Sequence, residues 1–244
     1  MTEQAFNRPG PAVVGRQEWL KARRDLLAEE KKLTEQRDEL SRRRRGMPWV
    51  RIDKPYRFEG PDGELSLGDL FAGRSQLIVY HLMFHPDWEW ACKSCSFWAD
   101  HFDGMVPHLA ARDTAFAAIS RAPLAKLKRQ AERLGWRFPW VSARGEDFNA
   151  DFGVSFPPDD DGGAYNYAPR EGTDYAGAVE LPGFSVFVRD PKSGAVFHSY
   201  STYGRGIELM NSAYSALDLT PAGRNEEGLA HTMSWVRLHD DYAA

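Results

Sequence analysis

Apolar residues recur every seven positions at the start of the chain: Trp19, Leu26, Leu33 and Leu40, with Leu20 and Leu27 beside them. This spacing predicts one long helix over 16–45, whose stripe is the face a helix buries. The remaining positions are dense in Arg, Lys, Glu and Gln, good helix formers. Glu29, Glu30, Lys31, Lys32 and Glu35 supply oppositely charged near neighbours. Arg42–Arg45 complement the helix dipole in the last turn, and Gly46 with Pro48 ends the run. The stripe suits either a homodimer or packing back on the rest of the chain. The arginine run reads as a solvated helix end, a phosphate contact being the weaker alternative.

Beyond residue 49 the pattern changes. Pro61-Asp62-Gly63 marks a turn. Leu77–Met83 is a continuous apolar run of strand length, which predicts a buried strand. A loop, His85-Pro86-Asp87-Trp88-Glu89-Trp90, follows. A helix is expected over 96–109, broken near Pro107, then a second buried strand at Thr114–Ile119 and a second helix over 122–134. That helix has Pro123 in its first turn and Gly135 past its end. Phe138–Ser142 reads as a short extended piece. Pro157–Gly177, rich in Asp, Gly, Pro and Tyr, reads as a long ordered loop or insertion. Phe184–Val188 and Ala195–Tyr200 flank a turn and predict a hairpin. A final helix is expected over 207–217.

Strand, helix, strand, helix, hairpin, helix is the order of an α/β thioredoxin-like mixed sheet flanked by helices, here with a long N-terminal helix. The division is a tail and amphipathic helix over 1–49 and a thioredoxin-like domain over 50–244.

Composition bounds the function. The chain has 244 residues with 31 Lys plus Arg, 35 Asp plus Glu and a net charge of −4, so nothing asks for nucleic acid. The first fifteen residues lack the apolar core of a secretory signal. No stretch approaches the roughly 18 apolar residues of a membrane span. The expected setting is the cytoplasm, with no membrane partner. There is no Walker loop, Rossmann glycine fingerprint or serine-hydrolase elbow, and no cofactor is implied.

The only two cysteines stand three positions apart, Cys92-Lys93-Ser94-Cys95. A disulfide so short constrains little of the unfolded chain, so a stabilising staple is a poor explanation. A C-x-x-C directly after a core strand and before a helix is the signature of a redox pair. Helix-terminal N–H groups favour the Cys92 thiolate and can bring a thiol from about 8.5 into the range of roughly 3.5–7.5. Cys92 is then the attacking thiolate and Cys95 the resolving thiol. Lys93 adds a cation nearby, and Trp88 and Trp90 could form a desolvated lip. Pro182, preceding the hairpin, is expected to face the dithiol through a cis bond. Arg121 could approach the thiolate as a charge partner, a structural arginine being the blander reading. His85 could supply a proton, against an ordinary loop histidine.

These segments resemble the DUF899 family of thioredoxin-like proteins. The resemblance rests on Leu77–Phe84 with the following His-Pro-Asp-Trp, on Cys92–Asp100, Ser120–Leu124, Gly135–Ser142, Asp147–Asn149, Tyr165–Tyr167, Val196–Ser201 and Met233–Arg237. It implies the fold and no substrate. More distantly, Phe138–Ser142 with Asp151–Val154 resembles the scaffold of peroxiredoxins and their thiol-reductase relatives. Peroxiredoxins carry Thr or Ser three residues before the peroxidatic cysteine. Here that residue is Glu89, a carboxylate that opposes thiolate formation.

Three readings compete. The first is a thiol–disulfide oxidoreductase acting on a protein disulfide or a small-molecule oxidant, with an unidentified thiol electron donor. The second is a thiol peroxidase or small-molecule reductase. The third is a non-catalytic binding module. His81, His85 and His101 could complete a zinc site with the cysteines, but a second C-x-x-C is missing, so no metal is expected. Asp159–Asp161 reads as a solvated loop rather than a calcium site. The Tyr165–Tyr175 stretch could cover the dithiol as a lid.

Overall fold

The computed structural model describes residues 11–143, 145, 147–158, 160 and 162–242. The tail over 1–10 and two of the three residues of the Asp159–Asp161 run lie outside them. The chain divides into two units, Met1–Pro48 and Trp49–Ala244.

The first unit is helix α1, Arg16–Arg45, ending on Gly46. Pairs such as Lys21–Asp25 and Glu39–Arg42 line it. None of its residues is buried: Trp19, Leu26, Leu33 and Leu40 stay about half exposed. The apolar stripe is exposed on this unit taken by itself. A helix of 30 residues, laced by ion pairs of successive turns, forms here without covering its apolar face.

The second unit is built on an eight-stranded sheet. Its centre is β4 (Gln76–His81), parallel to β5 (Thr114–Ser120), which is parallel to β6 (Trp140–Ser142). On the other side of β4 the hairpin β9 (Gly183–Arg189) and β10 (Val196–Tyr203) runs antiparallel. Three parallel strands closed by an antiparallel hairpin are the thioredoxin-like arrangement. Helices α2 (Lys93–Ala99) and α3 (Val106–Ala110) join β4 to β5, and α4 (Leu124–Leu134) joins β5 to β6.

Alternation along β4 and β5 divides the core. Tyr80, Phe116 and Ala118 face α2 and α4. Leu77, Val79, Ala117 and Ile119 face the opposite side, packed with Phe71, Phe148 and Phe187. Both faces are buried, so β4 and β5 read as unbroken apolar runs.

The structure adds elements that the pattern hides. β1 (Val50–Ile52) extends the hairpin edge along β10. β2 (Arg57–Gly60) and β3 (Gly63–Ser66) form a hairpin around Pro61–Asp62 and complete the opposite edge. α5 (Asp147–Asp151) follows β6, and the short pair β7 (Ala164–Tyr165) and β8 (Ala168–Pro169) lies in the insertion. The helix expected over 96–109 is two helices. It breaks at Asp100–Met105 rather than near Pro107, because Phe102 plugs the core there and Asp100 accepts from the Trp136 indole at 2.8 Å. Pro107 stands in the first turn of α3, where its missing N–H costs nothing. The last expected helix is a 3-10 turn over Gly204–Met210 and then α6 (Ser212–Leu217). They are separated by Asn211, whose side chain accepts from the Tyr214 N–H.

Candidate functional site

β4 delivers the chain to the site. Past its end the Met83 carbonyl accepts from the Cys92 N–H at 3.0 Å, so the intervening loop closes on itself before α2 begins. Cys92 is the N-cap residue of α2 and Cys95 lies within its first turn. The Ser96 N–H bonds the Cys92 carbonyl at 2.9 Å, which fixes that turn.

The loop is fastened to α4. Lys126 Nζ donates to the carbonyls of Pro86 and Trp88 at 2.6 and 2.7 Å. The Gln130 side chain accepts from the Ala91 N–H at 2.7 Å and donates to Ser96 Oγ at 3.1 Å. Ser96 Oγ in turn donates to the Cys92 carbonyl. Gln130 is fully buried. It therefore ties the loop, the dithiol turn and α4 together at one point, with its own amide oxygen and nitrogen both bonded.

Both cysteines are free. Cys95 is buried, whereas Cys92 is partly exposed. The two thiols are driven apart. The Cys95 thiol donates to Cys92 and holds it well below the usual thiol range, at about 6. Burial opposes this. The N–H groups of Cys95 and Ser94 and the Ser94 hydroxyl add to the lowering. Cys95 is pushed well up, first by burial, then by its own bond to Cys92 and the charge there. The stabilisation comes from local hydrogen bonds to the sulfur. One thiolate beside one retained thiol is the division of labour that dithiol exchange requires.

The pair opens on a cavity of about 420 Å3. Tyr80 rises from β4 behind it, donating to the Cys95 carbonyl at 3.3 Å. Tyr165 forms part of one wall: its hydroxyl donates to the Pro182 carbonyl at 2.7 Å and accepts from the Gly204 N–H at 2.8 Å. The insertion that carries it is organised by Arg170, whose side chain has no exposure. Its guanidinium donates to the carbonyls of Asp160, Gly163 and Ala178 and stacks 3.6 Å from the Phe156 ring centre. Tyr165 and Tyr175 of this stretch line the cavity, as a cover of the dithiol requires. The opposite wall is the C-terminal segment. The Glu226 carboxylate accepts from the Tyr214 hydroxyl, the Met233 N–H and the Trp235 indole at 2.6, 3.0 and 2.7 Å.

The sequence-read residues separate into two groups. Cys92, Cys95 and Pro182 share the cavity. Pro182 does so through a trans bond: among the described residues no peptide bond is cis. Leu181 is already held extended, its N–H on the Val154 carbonyl at 2.8 Å and Glu180 bridged to Ser155, and trans is the default for such an amide. Lys93 does not line the cavity. Its Nζ donates to the Ser234 carbonyl at 3.3 Å, and it is not among the main groups that lower Cys92. Arg121 is paired with Glu180 at 2.8 Å, and that carboxylate also accepts from Ser155, so it serves the fold. Trp90 lies under Arg129 and Arg133, at 4.4 and 4.6 Å from its ring centre. Trp88 packs on the core beside His85. His85 accepts from the Asp87 N–H. These three shape the loop and lie outside the cavity lining.

Of the zinc candidates, His81 faces the other side of the sheet and His101 pairs with Ser212 at 3.0 Å. Among the described residues no three His, Cys, Asp or Glu side chains are gathered as a metal would need.

As site residues, Tyr80, Gln130, Tyr214 and Glu226 escape the sequence reading. Gln130 alone carries a local signal, a polar residue on the Leu127–Leu134 stripe of α4.

Fold and site together define a thioredoxin-like protein with two free cysteines at the start of the helix that follows its central strand. The chain belongs to the DUF899 family, described as bacterial protein of unknown function, which it matches over residues 9–242. No curated protein matches its sequence. Among solved structures it is similar to peroxidoxin BcpB from Mycobacterium tuberculosis, with 16% identity, TM-score 0.42, and coverage of 70% of this chain and 96% of that one. It is also similar to peroxiredoxin Q from Xanthomonas campestris, with 13% identity, TM-score 0.42, and coverage of 69% and 92%. The mitochondrial 2-cys peroxiredoxin from Plasmodium falciparum gives 13% identity, TM-score 0.41, and coverage of 71% and 94%. These likenesses are distant, and the fold assignment rests on the strand order above. No helix is long and apolar enough to cross a membrane.

Proposed function

We propose that this protein is a thiol–disulfide oxidoreductase whose working group is the Cys92–Cys95 dithiol. The observation that carries the reading is the inequality of the two thiols. Cys92 is lowered to about 6 by the Cys95 thiol that stands ready to displace it, and both lie at one cavity.

The chemistry follows. The Cys92 thiolate attacks one sulfur of a substrate disulfide, forming a Cys92–S–S–R bond and expelling the other half as a thiolate. The Cys95 proton passes to that leaving group. The Cys95 thiolate then attacks Cys92 sulfur, expels the second half and leaves a Cys92–Cys95 disulfide. Two electrons pass from the dithiol to the substrate. A thiol donor returns them by the reverse exchange. The proposal places this cycle in the cytoplasm, where thiols are kept reduced. Homodimerisation through the exposed stripe of α1 belongs to the same proposal, and light scattering of the wild type and a Leu26→Lys, Leu33→Lys chain tests it: a dimeric wild type and a monomeric variant are expected, and equal masses overturn the role of the stripe.

The deciding experiment is titration of the reduced chain with a disulfide reagent. The wild type should release two thiols per chain and end with an internal disulfide. Cys95→Ser should release one and stop at a mixed disulfide on Cys92. Failure of the wild type to form the internal disulfide overturns the reading. A thiol peroxidase is the second reading, distinguished by direct consumption of peroxide; Glu89, exposed and three residues before Cys92, offers no hydroxyl to orient one.

A further inference from the structure

The shape of the cavity says more than the dithiol itself. We infer that the site takes low-molecular-weight disulfides of no large net charge, and that the segment Glu226–Trp235 is the wall that keeps protein disulfides out. This rests on the thiol–disulfide reading above and names the substrate class for it.

Three observations carry the inference. The first is size. The cavity holds about 420 Å3. A water molecule takes roughly 30 Å3 of liquid, so a small organic disulfide fits. A protein disulfide brings main chain on both sides of each sulfur, which must pass the walls of this cleft before a sulfur reaches Cys92.

The second is the fixity of the walls. On one side stands the insertion built on buried Arg170. On the other, one oxygen of Glu226 gathers the Tyr214 hydroxyl, the Met233 N–H and the Trp235 indole. Trp235 also packs edge-on against Phe97 of the dithiol helix, ring centres 5.7 Å apart, and Lys93 reaches the Ser234 carbonyl. The C-terminal end of the segment is therefore anchored to the helix that carries the cysteines, and its Glu226 end to Tyr214 of α6. Met233, in the cavity lining, is held there at φ 64°, a left-handed backbone that an ordinary residue adopts only under constraint.

The third is charge. Besides the Cys92 thiolate, the charged groups at the cavity are two guanidiniums, Arg205 and Arg224, and two carboxylates, Glu208 and Glu226. Arg205 and Arg224 are both paired with Glu208. The cations are already answered, so the cavity sets no demand for a strongly anionic or cationic ligand. Its interior surface, Met83, Trp98, Ile207 and Met233 beside the tyrosines, favours apolar or aromatic flanks.

The test compares bis(2-hydroxyethyl) disulfide with insulin on the full chain, for the wild type and for Glu226→Ala and Trp235→Ala. Amide hydrogen exchange over residues 226–236 reports whether the wall has opened. The wild type should reduce the small disulfide much faster than insulin. In each variant with an opened wall, the ratio of insulin rate to small-disulfide rate should rise by about tenfold, the scale of a lost hydrogen bond to a charged group. A wild type that reduces insulin as fast as the small disulfide overturns the substrate class and leaves the redox reading standing. An opened wall with an unchanged ratio overturns the role of Glu226–Trp235. A wild type that alkylates at Cys92 yet exchanges with neither disulfide overturns the redox reading itself.

Discussion

Tyr80 and His81 are neighbours on β4 and point to opposite faces of one sheet, and each begins a polar system of comparable burial. From Tyr80 the path runs to Cys95 and Cys92. From His81 it runs through Ser185 at 2.8 Å, Ser201 at a further 2.8 Å, and His198 Nε2 at 2.7 Å. His81 Nδ1 stands 3.4 Å from Asn149 Oδ1. None of these five residues lines the dithiol cavity. Burial brings His81 down to about 4, with His198 adding to the lowering and Asn149 opposing it, so its ring is neutral at physiological pH. Each group on that face is answered by the next, from Asn149 to the partly exposed His198, and the path stays away from the dithiol cavity. On the Tyr80 face one group, Cys92, is left partly exposed and charged. The difference teaches that a perturbed titration alone does not make a site: access to a reactant does.

The comparison breaks most severely at Cys92. Cys92→Ser should lower the rate of iodoacetamide labelling roughly a hundredfold or more, because Cys95 is buried and held protonated. Cys95→Ala should leave Cys92 reactive but raise the midpoint of its labelling above 6, since the Cys95 thiol is the largest cause of its lowering. A Cys92 midpoint unmoved by Cys95→Ala sinks the account of how the thiolate is held.

Next in size is the opposite face. His81→Leu keeps the volume and removes both ring nitrogens, leaving the Ser185 hydroxyl and Asn149 carbonyl short of a partner. The expected cost is about 2–3 kcal/mol, read from the urea midpoint. The Cys92 labelling midpoint should stay in place. If it moves by a whole unit, the two faces are coupled and the distinction drawn between them is lost.

The sequence discloses the dithiol face more readily than the walls around it. Leu77–Met83, Cys92 and Cys95 are local signals: a run and a spacing. The Asp100–Met105 break is less visible, because Phe102 looks like any helical apolar residue until the core claims it. β2 and β3 are hidden because Arg57, Glu59 and Glu64 make the hairpin look like loop, and their strand state comes from pairing with one another and, at Glu59, with Ser142. The walls are hidden for a stronger reason. Glu226 becomes an anchor only through Tyr214, Met233 and Trp235, seven to twelve residues away in a segment without periodicity. Arg170 in a loop reads as a solvated cation until its carbonyl partners are known. The stretch Met233–Arg237, part of the family resemblance, hinted that the tail matters without saying where it goes.

The faces also separate by pH. For His81 the unfolded chain, near 6.5, binds a proton that the folded chain accepts only near 4. Stability therefore falls as pH drops across that window. For Cys92 the sign is that of a depressed acid: its contribution to the reduced fold is complete above the unfolded 9.0 and is lost as pH falls through about 6. The Tm difference between reduced wild type and Cys92→Ser should thus shrink from pH 9 to pH 6 and stay flat below, while both proteins lose stability together from pH 6.5 to pH 4. A difference that keeps changing below pH 5 contradicts the assignment of the two windows.

The smallest expected effect concerns Lys93, which sits between the cysteines and is the cation that the sequence offers for the thiolate. Its ammonium is engaged by the Ser234 carbonyl, and the lowering of Cys92 is accounted for by the Cys95 thiol, the Ser94 hydroxyl and two backbone N–H groups. With its ammonium turned to Ser234 and salt screening what remains, Lys93→Ala should move the Cys92 labelling midpoint by no more than about 0.3, a twofold change in thiolate at a given pH. The same substitution removes a tether of the C-terminal wall, so hydrogen exchange over 232–236 should quicken even though the thiolate hardly changes. An upward shift of a full unit would return Lys93 to the role its position suggests and make the charge beside the dithiol, rather than the hydrogen bonds within it, the source of its reactivity.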